Sequence, residues 1–363
     1  PSYEPGKGSI DWSRMDAVVE RARKMQVKLR GHVLVFDNAI PDVMYGWQMD
    51  YEGWKKFLEN IITDVVRRYR GRIYQWDVIN ELVEDDRGQG MSFKKRFWYS
   101  RLGDSLFDIA FGAARAADPN ALLFYNDYNI EWKNPKSDFL FSQLRAMKSR
   151  GVPIDGIGFQ NHVIHFMSGQ EHLYETNFNR FVQEGFTLAI TEMDVPMNAN
   201  TDPQMRGYVW KFFIELALKF RPHFGTLLTW GLNDGQSWVF THPDLFSNPG
   251  PPLLLDHNME KTMYYEAVFI AFESSPLRSP RKLPKSVQPL PTQPPRVRSP
   301  KGRNSKLKSF GDIPGRRVAG AWFSEKNGGQ VLSNDGWAFY YANGHVATVV
   351  HTTRENLLRI NAH

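Results

Sequence analysis

Arg72-Ile73-Tyr74-Gln75-Trp76-Asp77-Val78-Ile79-Asn80-Glu81 is a largely apolar run, too short for a stable helix, that ends where polar residues begin. It reads as a buried strand delivering a glutamate at its C-terminal end. Ile190-Thr191-Glu192-Met193-Asp194-Val195 repeats the design with Glu192. Outward from these two runs, strand-like segments alternate with amphipathic helical ones up to about residue 272, the pattern of a βα-repeating fold. The spacing predicts strands at 27–36, 73–79, 121–125, 156–160, 187–191 and 225–230. Helices are predicted between them at 11–24, 53–69, 94–117, 136–150, 171–184 and 202–220. In the first of these, Met15-Asp16-Ala17-Val18-Val19-Glu20-Arg21-Ala22 carries apolar residues at helical spacing, and Asp118-Pro119-Asn120 and Arg150-Gly151-Val152-Pro153 act as helix stops. The fold class is therefore α/β, with the two acidic motifs at C-terminal strand ends, where parallel barrels place their chemistry.

Composition narrows the chemistry. The hydrophobic fraction of 42% is that of a globular chain, and the apolar runs fall well short of a membrane span, so no membrane partner is expected. With no Cys, the chain has no disulfide, thiolate metal site or cysteine nucleophile. It has no Asn-x-Ser/Thr sequon, which disfavours a glycosylated secretory product. Eleven Trp in an aromatic fraction of 14% admit two readings, a Trp-rich core or flat platforms of the kind sugars bind. Two strand-end glutamates can share one substrate bond, one as acid/base and the other as nucleophile.

The net charge of +6 is an average over unlike parts: from Glu273 onward there are 15 Lys+Arg against 5 Asp+Glu, and before it 30 against 34. Residues 273–309 hold eight Pro and ten Lys+Arg with no apolar periodicity, the composition of an extended linker. Residues 310–363 turn apolar again in Val318-Ala319-Gly320-Ala321-Trp322-Phe323, Trp337-Ala338-Phe339-Tyr340-Tyr341 and His345-Val346-Ala347-Thr348-Val349-Val350. Asn334-Asp335-Gly336 and Ala342-Asn343-Gly344 separate them, so a small antiparallel β module is expected there. The basic linker suits an acidic protein partner. Nucleic acid is not expected, because the aromatic residues are not interleaved with the basic ones.

Six motifs in order carry a resemblance: Gly31-His32-Val33-Leu34-Val35-Phe36; Trp76 to Glu81; Tyr125-Asn126-Asp127-Tyr128-Asn129; Ile154-Asp155-Gly156-Ile157-Gly158-Phe159-Gln160-Asn161-His162; Ile190 to Val195; and Thr229-Trp230-Gly231-Leu232-Asn233-Asp234-Gly235-Gln236-Ser237-Trp238. With them, residues 4–272 resemble glycoside hydrolase family 10, the (β/α)8 TIM barrels that act as retaining endo-β-1,4-xylanases. The resemblance implies a domain at 1–272, xylan as substrate, and no cofactor or metal. It implies that Glu192 is the nucleophile and Glu81 the acid/base. Asp194 and His162 would orient Glu192. Asn80 would contact the sugar 2-hydroxyl, and His32 and Gln160 would make further polar contacts. Trp230 and Trp238 would wall the sugar, and Tyr128 is a further substrate-binding candidate.

The chain departs from the family's pattern in three places. Phe36 and Asp37 stand where the family usually has Trp and His, which removes an indole N–H and adds a carboxylate. Glu4-Pro5-Gly6-Lys7 resembles the segment after the family's second strand, so six of eight barrel strands are expected here. The other two would come from preceding chain or from another polypeptide. The basic tail does not resemble a carbohydrate-binding module, which leaves a second reading open: a former glycosidase serving as a scaffolding subunit, its tail bound to another chain with few contacts to its own barrel. An active xylanase would be extracellular; a scaffold would sit inside the cell within an assembly.

Overall fold

The structure is a computed structural model that describes residues 2–4, 9–25, 27–85, 88, 90–274, 320–321, 331–332, 337–342 and 345–350. A short hairpin, β1 (Ser2–Glu4) and β2 (Ser9–Asp11), precedes α1 (Ser13–Lys24). The body then alternates: β3 (Leu29–Val35), α2 (Tyr51–Arg68), β4 (Ile73–Asn80), α3 (Phe97–Leu102), α4 (Ser105–Ala117), β5 (Leu122–Asp127), α5 (Pro135–Ser149) and β6 (Gly156–Phe159). It continues with α6 (His172–Gln183), β7 (Thr187–Met193), α7 (Pro203–Lys219), β8 (Phe224–Thr229) and α8 (Met263–Ser274). The strands β3 to β8 pair in parallel, each with the next in sequence. These six strands with their helices form a partial (β/α)8 barrel.

Each predicted strand is present within two residues of its expected ends, because parallel strands covered on both faces are written as continuous apolar runs. The helix predicted at 94–117 is two helices. Gly103 has φ 55°, a conformation that costs glycine little and ends α3 there. Where the helix starts are sharp, the caps are legible: Asn134 and Ser137 form a reciprocal capping box ahead of Pro135, and Asp202 caps α7 ahead of Pro203. The helix α8 had no counterpart in the sequence reading.

The aromatic residues divide between core and rim. Trp54, Trp76, Trp98 and Trp210 are buried, with Trp54 packed edge-on to Phe97 and Trp98. Phe159 of β6 stacks on Phe178 of α6 at 4.4 Å. Trp12, Trp47 and Trp132 are partly buried and packed against that core, and Trp230 and Trp238, also partly exposed, follow the end of β8. Among the described residues no helix is long and apolar enough to cross a membrane.

Strands β9 (Gly320–Ala321), β10 (Val331–Leu332), β11 (Trp337–Ala342) and β12 (His345–Val350) follow in the C-terminal part. β11 and β12 form an antiparallel hairpin, and β12 runs antiparallel to β8, with Thr348 opposite Thr229 and Val350 opposite Leu227. This corrects the expectation that the tail makes few contacts with its own barrel. The edge of β8 presents unpaired N–H and C=O groups wherever no neighbouring strand lies beside it, and a β-branched hairpin can satisfy them. At the other end the sheet terminates at β3. The linker expected at 273–309 lies, beyond Ser274, outside the described residues, as do the turns at 333–336 and 343–344.

Candidate active site

The barrel brings two glutamates to one hydrogen-bonded chain. Glu81 follows β4 with φ 55°, a left-handed conformation uncommon for a residue with a side chain, and its N–H donates to the Asn126 carbonyl at 2.9 Å. Its Oε1 accepts from Gln160 Nε2 at 2.9 Å and from Asn80 Nδ2 at 3.2 Å. Asn80 Oδ1 accepts from Asn126 Nδ2 at 2.8 Å, and the same Nδ2 donates to Glu192 Oε1 at 2.8 Å. Asn126 is fixed in turn by Thr191 Oγ1, which donates to its Oδ1 at 2.7 Å. Gly158 makes room for it, since a Cβ there would stand 2.2 Å from Asn126 Oδ1. Glu192, on β7, is 4% exposed.

The other oxygen of Glu192 faces His162, whose Nε2 lies 3.4 Å from Oε2. His162 Nδ1 lies 2.9 Å from Asp194 Oδ1, so the imidazole sits between two carboxylates. Burial alone would push its pKa down, but Asp194 and Glu192 outweigh that and raise it to about 10. The ring is then an imidazolium that donates from both nitrogens. Asp194 is also held by Trp238, whose Nε1–H donates to Oδ2 at 2.8 Å. On the opposite flank His32 Nδ1 lies 2.8 Å from Asp77 Oδ2, and Asp77 is paired with Arg30 inside the sheet.

These neighbours split the two carboxyl groups. Burial drives the pKa of Glu81 up, Asp127 and Glu192 add to the rise, and the Gln160 bond and Lys94 only partly oppose it. Glu192 is more deeply buried than Glu81, but the His162 bond, the charges of His32 and His162, and the Asn126 bond bring it below its ordinary value of 4.5. One group therefore keeps its proton where the other has lost it. That is the division of labour needed for acid/base and nucleophilic chemistry on one bond.

The remaining candidates take distinct places. The ring of Trp230 meets those of His32 and His162 edge-on at 5.8 and 6.2 Å, and Trp238 lies 5.0 Å from the His162 ring. Tyr128 is turned into a cluster beside Glu81: its hydroxyl donates to Asp85 Oδ2 at 2.8 Å. Asp37 accepts the Trp98 N–H at 3.1 Å and feels the positive charges of Arg96, Lys94 and Arg101. The extra carboxylate is thus answered by cations, with burial raising its pKa. Phe36 is partly buried and extended. Among the described residues no group of three or more His, Asp or Glu is arranged to hold a metal ion.

Sequence reasoning passed over Asn126, Asp77, Thr191 and Lys94. A signal existed for the first two. Asn126 is a polar residue one place before the end of β5, and Asp77 is a lone charge in an apolar strand, which burial without a partner would forbid.

The family model of Glycosyl hydrolase family 10 matches residues 1–271. Endo-1,4-beta-xylanase B of Thermotoga neapolitana is 33% identical over 271 residues, which are 74% of this chain and 76% of that protein. Endo-1,4-beta-xylanase A of Phanerodontia chrysosporium is 32% identical over 273 residues, 74% of this chain and 64% of that protein. Among solved structures, native xylanase 10B from Thermotoga maritima superimposes with TM-score 0.68 at 32% identity, covering 75% of this chain and 82% of that one. Xylanase 10B from Thermotoga petrophila RKU-1 in complex with xylobiose gives TM-score 0.68 at 31% identity, covering 75% and 81%.

Proposed function

The chain belongs to glycosyl hydrolase family 10, whose matched relatives are endo-1,4-β-xylanases, and we propose that it cleaves internal β-1,4 bonds of xylan with retention by double displacement. The observation that carries this reading is the opposed ionisation of Glu81 and Glu192 along one chain of amide hydrogen bonds.

In the first step Glu192 Oε attacks the anomeric carbon while Glu81 passes its proton to the departing glycosidic oxygen. A glycosyl ester on Glu192 and a free hydroxyl on the leaving sugar result. Glu81, now a carboxylate, then takes a proton from water as that water attacks the same carbon. The C–O bond to Glu192 breaks, and both groups return to their starting states. The His162 imidazolium and Asn126 amide hold the Glu192 carboxylate in place before attack and stabilise it again as it leaves. Asn80, anchored to Asn126 and Glu81, is the donor suited to the sugar 2-hydroxyl, where a bond strengthens toward the transition state. His32, Gln160, Trp230 and Trp238 surround the same sugar, with Tyr128 near the acid/base side. No cofactor enters. A polymeric substrate places the enzyme outside the cell.

The pH profile of kcat/KM on xylan tests this. Activity requires Glu192 ionised and Glu81 protonated. The rate falls on the acid side as Glu192 takes a proton, at a pKa below 4.5, and on the alkaline side as Glu81 loses one, at a pKa above 4.5. A bell is expected. A profile without an alkaline limb would remove Glu81 as the acid.

A further inference from the structure

Beside Glu81 lies a second buried cluster of charge that makes no bond to the substrate in the proposed reaction. The ammonium of Lys136 stands 3.5 Å from the centre of the Tyr128 ring, and that of Lys94 stands 5.2 Å from it. Lys94 Nζ also donates to the Tyr128 hydroxyl at 3.4 Å. Lys136 pairs with Asp127 Oδ1 at 3.0 Å and with Asp85 Oδ1 at 3.1 Å. Asp127 accepts in addition from the Tyr125 hydroxyl at 2.7 Å and from the Tyr128 N–H at 2.9 Å. Both lysines are only 4% exposed. Burying two ammonium groups together is costly unless each answers a negative charge.

The two lysines meet their shared acidic neighbours differently. Lys136 holds Asp127 and Asp85 by direct ion pairs. Lys94 makes no direct ion pair among the described residues, and its charge is felt by Asp127, Glu81, Asp85 and Asp37. Its backbone is fixed to the segment that immediately follows Glu81: the Lys94 N–H donates to the Leu82 carbonyl at 2.7 Å, beside a bridge between Val83 and Phe93. The charged groups acting most strongly on Glu81 are Asp127 from β5, Glu192 from β7 and Lys94 from the loop after β4, with the neutral Gln160 amide bonded to its oxygen.

We propose that Lys94 is a positioning residue for the acid/base step, its buried ammonium held against Tyr128 as the positive charge that offsets Asp127 and Glu192 at Glu81. The proposal rests on the reading of Glu81 as acid/base. In the first step the ammonium favours the carboxylate that Glu81 becomes as it gives up its proton. In the second, Glu192 is esterified and neutral, and Lys94 keeps Glu81 ionised against Asp127 so that it can accept the proton of water. The burial that opposes the charge on Lys94 is the cost of placing it there.

The sign of the effect follows. Lys94 lowers the pKa of Glu81, so removing it raises that pKa. In Lys94→Met the alkaline limb of kcat/KM on xylan should move to higher pH by about 0.5–1 unit, the size expected for one neighbouring unit charge in a partly screened site. The acid limb of kcat on an aryl xylobioside with an activated leaving group, where deglycosylation limits, should move up in the same sense. Lys94→Arg should keep both limbs at the parent positions. Lys94→Gln is read in the same way as Lys94→Met, and Tyr128→Phe should give a smaller shift in the same direction. Unmoved limbs in these variants, or a downward shift, would overturn the proposal, whatever happens to the overall rate. Glu81→Ala separates this from the underlying assignment. If the alkaline limb survives in Glu81→Ala, the acid/base reading fails; if it vanishes there but Lys94→Met leaves it in place, only the role of Lys94 fails.

Discussion

Glu192→Ala should abolish turnover on xylan and on activated aryl xylosides alike, with a loss on the order of 10⁴–10⁶-fold, because no covalent intermediate can form at any leaving group. The variant should still fold. His162 keeps its pair with Asp194, Asn126 keeps its bonds to Asn80 and Thr191, and a buried carboxylate that is costly to desolvate has been removed. Thermal unfolding of the parent and variant, followed by circular dichroism, supplies the control. An inactive variant with a cooperative transition supports the nucleophile assignment, and substantial residual hydrolysis of the activated substrate sinks it.

Glu81→Ala should behave differently. Xylan needs a proton on its departing oxygen, so hydrolysis of the polymer should fall by about 10²–10⁴-fold, the usual contribution of a positioned acid. A dinitrophenyl xylobioside leaves without that help, so its glycosylation should persist and the glycosyl-enzyme should accumulate as a burst. Azide is a nucleophile that needs no general base, and it should restore turnover and give a β-xylosyl azide. If both glutamate variants lose activity equally on both substrates and azide restores neither, the two residues do not divide the work as assigned.

How far the sequence foretold the molecule depended on whether a signal was local. Strands β3 to β8 were legible because each is a buried run bounded by turn residues. The two catalytic candidates were legible because each closes such a run. The break between α3 and α4 was passed over, although Gly103 followed by Asp104 and Ser105 is a helix stop and a helix start in succession; the left-handed backbone at Gly103 shows only in three dimensions. The helix α8 hid for the opposite reason, since Met263-Tyr264-Tyr265-Glu266-Ala267-Val268-Phe269-Ile270-Ala271-Phe272 is almost uniformly apolar and shows no polar face to betray a period.

Within the site, pairings between distant segments escaped the reading. Asp77 is explained by Arg30, 47 residues away on the neighbouring strand, and Asn126 by Glu192, 66 residues on. Tyr128 was singled out as a sugar contact, yet its hydroxyl is committed to Asp85 and its ring to two lysines, an arrangement that no spacing along the chain announces. The pairing of β12 with β8 is of the same kind: the hairpin itself was predictable from two apolar runs separated by Asn343-Gly344, but which edge it would meet was not.

The central claim is a covalent glycosyl-enzyme on Glu192, and a 2-deoxy-2-fluoro-β-xylobioside with an activated leaving group tests it most directly. Fluorine at C2 destabilises the oxocarbenium-like transition states of both steps, and the good leaving group lets only the first proceed. Intact-mass measurement should show one fluoro-xylobiosyl group per chain, and peptide mapping should place it on the peptide containing Ile190-Thr191-Glu192-Met193, with no label in Glu192→Ala. Label on the Glu81 peptide, or a parent enzyme that hydrolyses xylan without ever taking up the label, would contradict the account.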